Sequence, residues 1–574
     1  MLTLCIFPEP PLNRPRTLTY PSYIHEILSH AGIPYQTLSP ADLPAQLPHT
    51  KLLLTLGDAA LDPSLQSQLQ TFLHTGGSWI NLAGLFDLHD LLGLRPAPSY
   101  QGFGAGARTL GEGYLIPLPP SSLSSILHPL SSSSHPITSP LQKPLHFFNG
   151  LALESTTATP LASSLDVHGR PTNSPVLFEH PVGAGRVITF SIDLTGTIVH
   201  VQQGRSVTRD GVPAPDGTAP VSDGVLKSGD GAVLDWLFDR DEAPGTGTPA
   251  FLRPVADLWR DLLLRTIFHC ASLAKINLPV LWYWPRSLPA VAHMSHDTDG
   301  SDPVKGHRLL ELLAEADIHT TWCVILPAYD NDLLTSIRLA GHELATHYDS
   351  MTTGLDFCSA QWDRQITELI AAFGPDTPRP VTNKNHYLRW EGDMDVFDWC
   401  LKHGIQLDQS KGASKTGEAG YNFGTCHPYF PVRFNGDTVD VLELATPTQD
   451  LHVFAKEELF DSLLQVALRH HGVLHLLYHP AHTSRDDVGG SLVRSAAKAK
   501  SAGLEWWTGR QLNSWERARR TVQWQSDHSL RASANLPAAT ILHLNGTTGP
   551  TVTRWGFNFS VTTVDLVAGK SVQL

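Results

Sequence analysis

Between Leu288 and His482 one pattern returns: a short apolar run ends in, or leads to, a cluster of polar and titratable side chains. "LPAVAHM" runs into "SHDTDG" (295–300), which sets Asp297 and Asp299 one residue apart, and "IHTTWCVIL" (318–326) follows. Then come "GHELATHYDSM" (341–351), "TNKNHYLRW" (382–390), "GIQLDQSKG" (404–412) and "VLHLLYHPAH" (473–482). Continuous apolar runs of this length read as parallel strands buried on both faces. Strands alternating with helical stretches make an α/β fold, and a βα barrel brings the C-terminal ends of its strands to one rim. One site assembled from distant segments is therefore the economical reading. Asp297 and Asp299 also suit a turn and a helix cap, the plain alternative for Asp beside Gly and Ser.

At 574 residues the chain exceeds what one hydrophobic core serves, and it reads as a multidomain α/β protein in three segments. Residues 1–275 read as a doubly wound sheet. Strands "LTLCIF", "KLLLTLG" and "SWINLAGL" alternate with helices "YIHEILSHAGIPY" and "DPSLQSQLQTFLHTGG", the latter with an Asp-Pro start and a Gly-Gly stop. "PVLFEHPVGAGRVITFSID" reads as a hairpin, and "FLRPVADLWRDLLLRTIFHCASLAK" as a helix that closes the segment. Within it, 202–232 is rich in Gly, Pro, Asp and Ser and reads as a long loop, mobile or folded over a neighbouring surface. Residues 285–520 form the barrel. Residues 521–574 carry period-two Val, Thr and aromatic runs broken by "NGTTGP" and "AGK", which reads as a small antiparallel β domain.

A formal charge of −14 with no cluster of Lys and Arg excludes a nucleic-acid or anionic-membrane partner. Six scattered cysteines without a CxxC pair argue against a disulfide framework or a thiolate zinc site. No run of eighteen apolar residues exists, and "MLTLCIFPEPPLNRPR" lacks the basic start and long apolar run of a secretory signal. As written the chain is expected in the cytoplasm, and as secreted if the sequence is trimmed. Nothing in it indicates an oligomeric state.

Two resemblances follow from these residues. By pattern, about the first 200 residues resemble the class I glutamine-amidotransferase-like fold. Ala83 and Gly84 stand where the nucleophilic Cys would sit, so no amidotransferase chemistry is expected there. The middle segment resembles the polysaccharide deacetylase, or NodB-homology, family of carbohydrate esterases. Asp297-Thr298-Asp299-Gly300 matches the first motif, T-F-D-D-G or its D-x-D variant. "TTWCV" sits at A-T-F-F-V, "GHELATH" at G-H-E-I-G-S-H, "DQS" (408–410) at the fourth motif's Asp, and "LLYHPAH" at the final Leu-x-His.

The resemblance implies a deacetylase-type barrel with Asp297 as general base, Asp299 and His347 as metal ligands, and His479 as general acid. Asp408 would support them. It also implies one divalent ion, zinc first, and an acetylated amino sugar as substrate. The chemistry is consistent, because amide hydrolysis needs an activated water, a stabilised oxyanion and a protonated leaving amine. One departure matters: the family's second ligand follows in His-x-x-x-His, and here that position is Met351, a poor ligand for borderline-hard ions. His386 is the best substitute, which gives the triad Asp299, His347 and His386. Arg389 can then take the role of the family's third-motif Arg beside the base.

The remaining polar residues have weaker claims. His342 lies five residues before His347 and reads as structural. His482 competes with His479, and "GTCHPYFP" with His427 reads as a loop at the substrate rim. Trp322, Trp390, Trp399 and Tyr387 are candidates to line a sugar cleft, although most such aromatics are core. The function expected is metal-dependent N-deacetylation of an amino sugar in a glycan or glycoconjugate. A metal-independent amidohydrolase of a small C–N substrate and an inactive carbohydrate-binding protein are the alternatives.

Overall fold

The computed structural model describes residues 1–7, 18–97, 109–118, 135–525, 529–546 and 549–573. They divide into two units: Met1–His200 with Leu258–Tyr283 and Val522–Leu574, and Val201–Asp257 with Trp284–Thr521.

In the first unit five strands pair in parallel, in the order Tyr35–Leu38, Leu2–Ile6, Leu52–Leu56, Ser78–Leu82, Gly185–Phe190. Pro171–Val182, Thr159–Asp166, Gly113–Pro117 and Leu145–Phe147 extend the sheet antiparallel. The helix Pro63–His74 begins where the Asp62 carboxylate accepts from Leu65 N at 3.0 Å, and it buries Leu65, Leu69, Phe72 and Leu73. After Ser78–Leu82 the chain turns sharply at Ala83, whose φ of 61° lies in the left-handed region.

Residues 522–573 belong to this unit, which departs from the reading of a separate small domain. Leu536–Leu544 pairs antiparallel with Leu278–Leu281 on one edge and with Phe557–Leu566 on the other, and Thr551–Arg554 completes the sheet. A hairpin alone buries too little apolar surface to stand, and the extra strand lets Ile541, Leu542 and Leu544 be buried. Thr547 and Thr548 of "NGTTGP", and residues 8–16 of the N-terminal segment, lie outside the described residues.

The second unit is a curled parallel sheet. Its strands are, in order, Val291–Asp297, Thr321–Val324, Glu343–Tyr348, Thr382–Asn385, Leu407–Asp408 and Leu442–Glu443. Val473–Leu477, the seventh, returns to pair with the first. A parallel bridge between Gln449 and Leu477 spans the remaining gap, so the sheet curls nearly into a barrel. Period-two alternation decides what each face carries. On the first strand Ala292 and Met294 join the apolar layer beneath the helices Pro303–Ala316, Leu459–His470 and Asp486–Ser501. His293, Ser295 and Asp297 point the other way, into a polar interior. There Ser295 Oγ meets His475 Nε2 at 3.0 Å, and Gln409 Nε2 donates to His293 Nε2 at 2.8 Å. Burial holds these two histidines well below their usual range, so they pair as neutral rings.

Residues 201–257 also belong to the second unit, which places the loop 202–232 with the barrel and not with the first segment. It runs as a strap over the segment after the fourth strand. Val207 and Gly392 exchange backbone hydrogen bonds at 2.8 and 2.9 Å, and Trp390 N donates to Leu226 O at 3.2 Å.

Candidate metal centre and catalytic site

Four barrel strands deliver their last residues to one rim. Asp297 ends the first strand and is buried; Asp299 follows in a turn that Thr298 ties to the second strand through Ile325 N (3.1 Å) and Cys323 O (3.1 Å). His347 lies in the third strand, fully buried. His386 stands just past the fourth, where Tyr387 and Leu388 hold φ of 60° and 51°. Such left-handed conformations in non-glycine residues cost energy and concentrate at functional sites. His479 lies two residues beyond the seventh strand.

Asp299, His347 and His386, the triad read from the sequence, come together here. His347 Nε2 is 3.3 Å from Asp299 Oδ1, His386 Nε2 is 3.3 Å from Asp299 Oδ2, and one ligand atom from each lies within 4.8 Å of the others. Each imidazole is oriented from behind. His347 Nδ1–H donates to Lys384 O at 2.9 Å, and His386 Nδ1–H to Asp349 Oδ1 at 2.9 Å. Both leave Nε2 facing Asp299. Among the described residues, His347 Nε2 and Asp299 Oδ1 are buried with no hydrogen-bond partner. Burial pulls His386 down, but Asp299 and Asp349 outweigh it and hold the imidazole at about 9; in return the histidines hold Asp299 far below the carboxylate range. Two imidazole nitrogens and a carboxylate, with an orphaned lone pair between them, fit a zinc-like divalent ion.

His347 lies on a strand that ends at Tyr348, so position 351 falls beyond the element that carries it. Met351 follows in a turn, and what it contributes is a backbone N–H to Asp349 Oδ1 at 2.8 Å. Asp349 thus supports the loop and aims His386. His342, five residues before His347, precedes the same strand, and its Nδ1 accepts from Thr320 N at 3.1 Å, away from the triad. His386→Ala is expected to remove the bound ion, and Met351→Ala to leave it in place; elemental analysis of both purified variants decides.

Asp297 and His479 flank the triad. Asp297 Oδ2 is 3.8 Å from His347 Nε2, and Asp297 Oδ1 is 3.7 Å from Lys384 Nζ. Lys384 is fully buried and donates to Ser295 Oγ at 2.5 Å. It occupies the position foreseen for Arg389, whose guanidinium instead pairs with Glu391 Oε1 at 2.6 Å and donates to Ser350 O. The reason is reach: Lys384 is inside the fourth strand and points into the barrel, whereas Arg389 lies beyond the turn. Opposite, His479 Nε2 faces Asp299 Oδ2 at 3.7 Å, and its Nδ1–H donates to Asp450 Oδ2 at 2.5 Å. Burial pulls His479 down, but Asp450, with Asp297 and Asp299, holds it at about 9. His482 shares Asp450, with Nδ1 3.0 Å away, and is 40% exposed at the rim.

Four further residues complete the account: His427, Trp390, Trp322 and Asp408. His427 is buried, donates Nε2–H to His470 O at 2.8 Å, and adjoins Cys426, whose carbonyl receives Val473 N. Val473 starts the seventh strand, so His427 lies at the opposite end from the rim. Trp390 is buried in an apolar cluster with Phe397 and Cys400, 4.2 Å beneath Lys411 Nζ, and lines no cleft. Trp322 is core as well. Asp408 lies in the barrel interior, accepting from Asn383 Nδ2 at 2.8 Å and Ser410 Oγ at 2.9 Å; burial raises it, and it shares a site with Glu443.

Lys384, Asp349 and Asp450 were not singled out by the sequence reading. "TNKN", a fully polar strand between apolar flanks, is the signal that could have found Lys384. Asp450 lies in "TPTQD", which carries none.

No protein-family model matches the sequence, and no curated protein matches it. Among solved structures, a Mycobacterium smegmatis protein assigned to the polysaccharide deacetylases is similar at 18% identity and a TM-score of 0.33, over 42% of this chain and 94% of that one. The peptidoglycan deacetylase PdaC of Bacillus subtilis matches at 14% identity and 0.28, over 40% and 94%. A family 4 acetyl xylan esterase of Clostridium thermocellum, in complex with a cobalt ion, matches at 15% and 0.27, over 39% and 90%. Among the described residues no helix is long and apolar enough to cross a membrane.

Proposed function

We propose that this chain is a metal-dependent hydrolase that removes the acetyl group from an N-acetylated amino sugar in a glycan. The observation that carries this reading is the triad Asp299, His347 and His386, flanked on one side by Asp297 with Lys384 and on the other by His479 with Asp450. When bound, a divalent ion supplies Lewis-acid polarisation of a carbonyl oxygen and a lowered pKa for water. Asp299 Oδ, His347 Nε2 and His386 Nε2 would hold it.

The chain's own groups do the proton work. Asp297, with Lys384 balancing its charge, takes a proton from the attacking water as the C–O bond forms. His479, protonated at neutral pH, gives its Nε2 proton to the nitrogen as the C–N bond breaks, releasing acetate and the amine. O-deacetylation uses the same tetrahedral chemistry. The first unit is read as a non-catalytic amidotransferase-like domain, supported by Ala83 at the strained turn where a nucleophile would stand.

Acetate release from N-acetylated chitooligosaccharides, with and without added zinc, tests the activity. Turnover that survives complete chelation would favour the metal-independent amidohydrolase. Sugar affinity without turnover would favour the binding protein.

A pH profile tests His479 separately. Its acid form is lost as pH rises through about 9, and Asp450 is the first of the groups that raise it. Asp450→Asn should therefore move the basic limb of the profile to lower pH. An unmoved limb would mean that another group is the acid.

A further inference from the structure

The strap 201–257 and the loop 411–422 enclose a cavity of about 420 Å³ that the hydrolytic chemistry does not use. One wall is aromatic: Trp236 and Phe251 pack with ring centroids 5.4 Å apart. Two cations, Arg205 and Arg209, line it and are exposed, and among the described residues neither guanidinium has an ion-pair or hydrogen-bond partner. Deeper in, Asn422 is 2% exposed, and its Oδ1 has no partner while its Nδ2 donates to Gly412 O at 3.3 Å.

The carboxylates of the cavity are already engaged. Asp210 and Asp230 both pair with Lys415 Nζ, at 2.5 and 2.7 Å, and each also accepts from backbone: Asp210 from Gly224 N, Asp230 from Lys227 N. Glu418 Oε2 accepts from Ser414 N and Lys415 N, and burial raises this carboxyl to about 7. Lys415 offsets only one of these carboxylates, but each is held in an ion pair or in backbone hydrogen bonds, and among the described residues the charged groups left unpaired for a ligand are the two guanidinia. Guanidinium recognises a planar carboxylate in a bidentate fork, an aromatic wall suits the apolar face of a sugar ring, and a buried amide oxygen without a donor suits a hydroxyl.

We propose that this cavity is a subsite for a carboxylate-bearing sugar unit, gripped by Arg205 and Arg209 at its mouth and by Asn422 at its floor. That the ligand is a glycan unit rests on the proposed deacetylase function; the preference for an anion rests on the cavity alone. The placement is consistent with one extended substrate, because the strap pairs through Val207 and Lys227 with Gly392 and Arg389, in the segment that follows His386.

The test is calorimetric titration of the full chain with tetragalacturonate, which carries carboxylates and no acetamido group, beside cellotetraose and inorganic phosphate. The expected result is binding of tetragalacturonate alone, weakened by salt, and weakened on the order of tenfold or more in the Arg205→Gln, Arg209→Gln double variant at unchanged melting temperature. Asp299→Ala should bind it like the parent. Equal binding of cellotetraose, equal binding of phosphate, undiminished binding by the double variant, or loss of binding in Asp299→Ala would each overturn the assignment. Because no acetate is released from this probe, failure of the deacetylase reading shows only in the turnover assay and failure of the subsite only in the titration.

Discussion

The parent chain should purify with roughly one equivalent of divalent ion, and Asp299→Ala without it. The variant should also lose about three orders of magnitude or more in kcat/KM for acetate release. Asp299 is the hinge of the site: both of its oxygens face an imidazole, Oδ1 toward His347 and Oδ2 toward His386, at 3.3 Å each. Removing it leaves two imidazole nitrogens and takes away the one carboxylate of the triad that would balance a dication. The size of the loss follows from the several kcal/mol of charge stabilisation that a bound metal supplies, at 1.36 kcal/mol per tenfold. Elemental analysis and initial rates on the same preparations check both halves. A variant without ion but with parental turnover would remove the metal from the chemistry.

Lys384→Met should be the most destabilising single change at the site. Lys384 is fully buried, with Nζ 2.5 Å from Ser295 Oγ and 3.7 Å from Asp297 Oδ1. Breaking a buried pair by removing one partner typically costs about 3–5 kcal/mol, because the other charge is left uncompensated. Asp297 is buried too, so the cost cannot be relieved by water. Urea unfolding should show a fall of that order in stability. In whatever fraction remains folded, acetate release should fall, because the ammonium that faces Asp297 is gone. Parental stability and parental turnover together would show that Lys384 does not support Asp297.

The first unit's parallel strands were legible because each is a continuous apolar run bounded by helix caps that act locally, as Asp62 does at Leu65 N. The C-terminal strands were legible as strands, but not as members of that unit. Their pairing with Leu278–Leu281 joins residues hundreds of positions apart, and nothing local in either segment encodes it. The strap 201–257 is the same case: its Gly and Pro content marks a loop, while its attachment through Val207 and Trp390 depends on backbone hydrogen bonds that any sequence can make.

At the site, the sequence determined the ligand types and their order. Asp297, Asp299, His347, His386 and His479 are polar groups at or near the ends of apolar runs, which read as buried strands, and the resemblance to the deacetylase motifs singled them out. Tertiary structure decided which cation faces Asp297, because Lys384 reaches it only from inside a curled sheet, and Arg389, three residues beyond His386, turns outward. It also decided that Asp349 and Asp450 stand behind His386 and His479 at 2.9 and 2.5 Å. A carboxylate behind an imidazole is a relation between two distant chain segments, fixed by where the barrel places their backbones; the sequence carries the residues, and the fold supplies the distance.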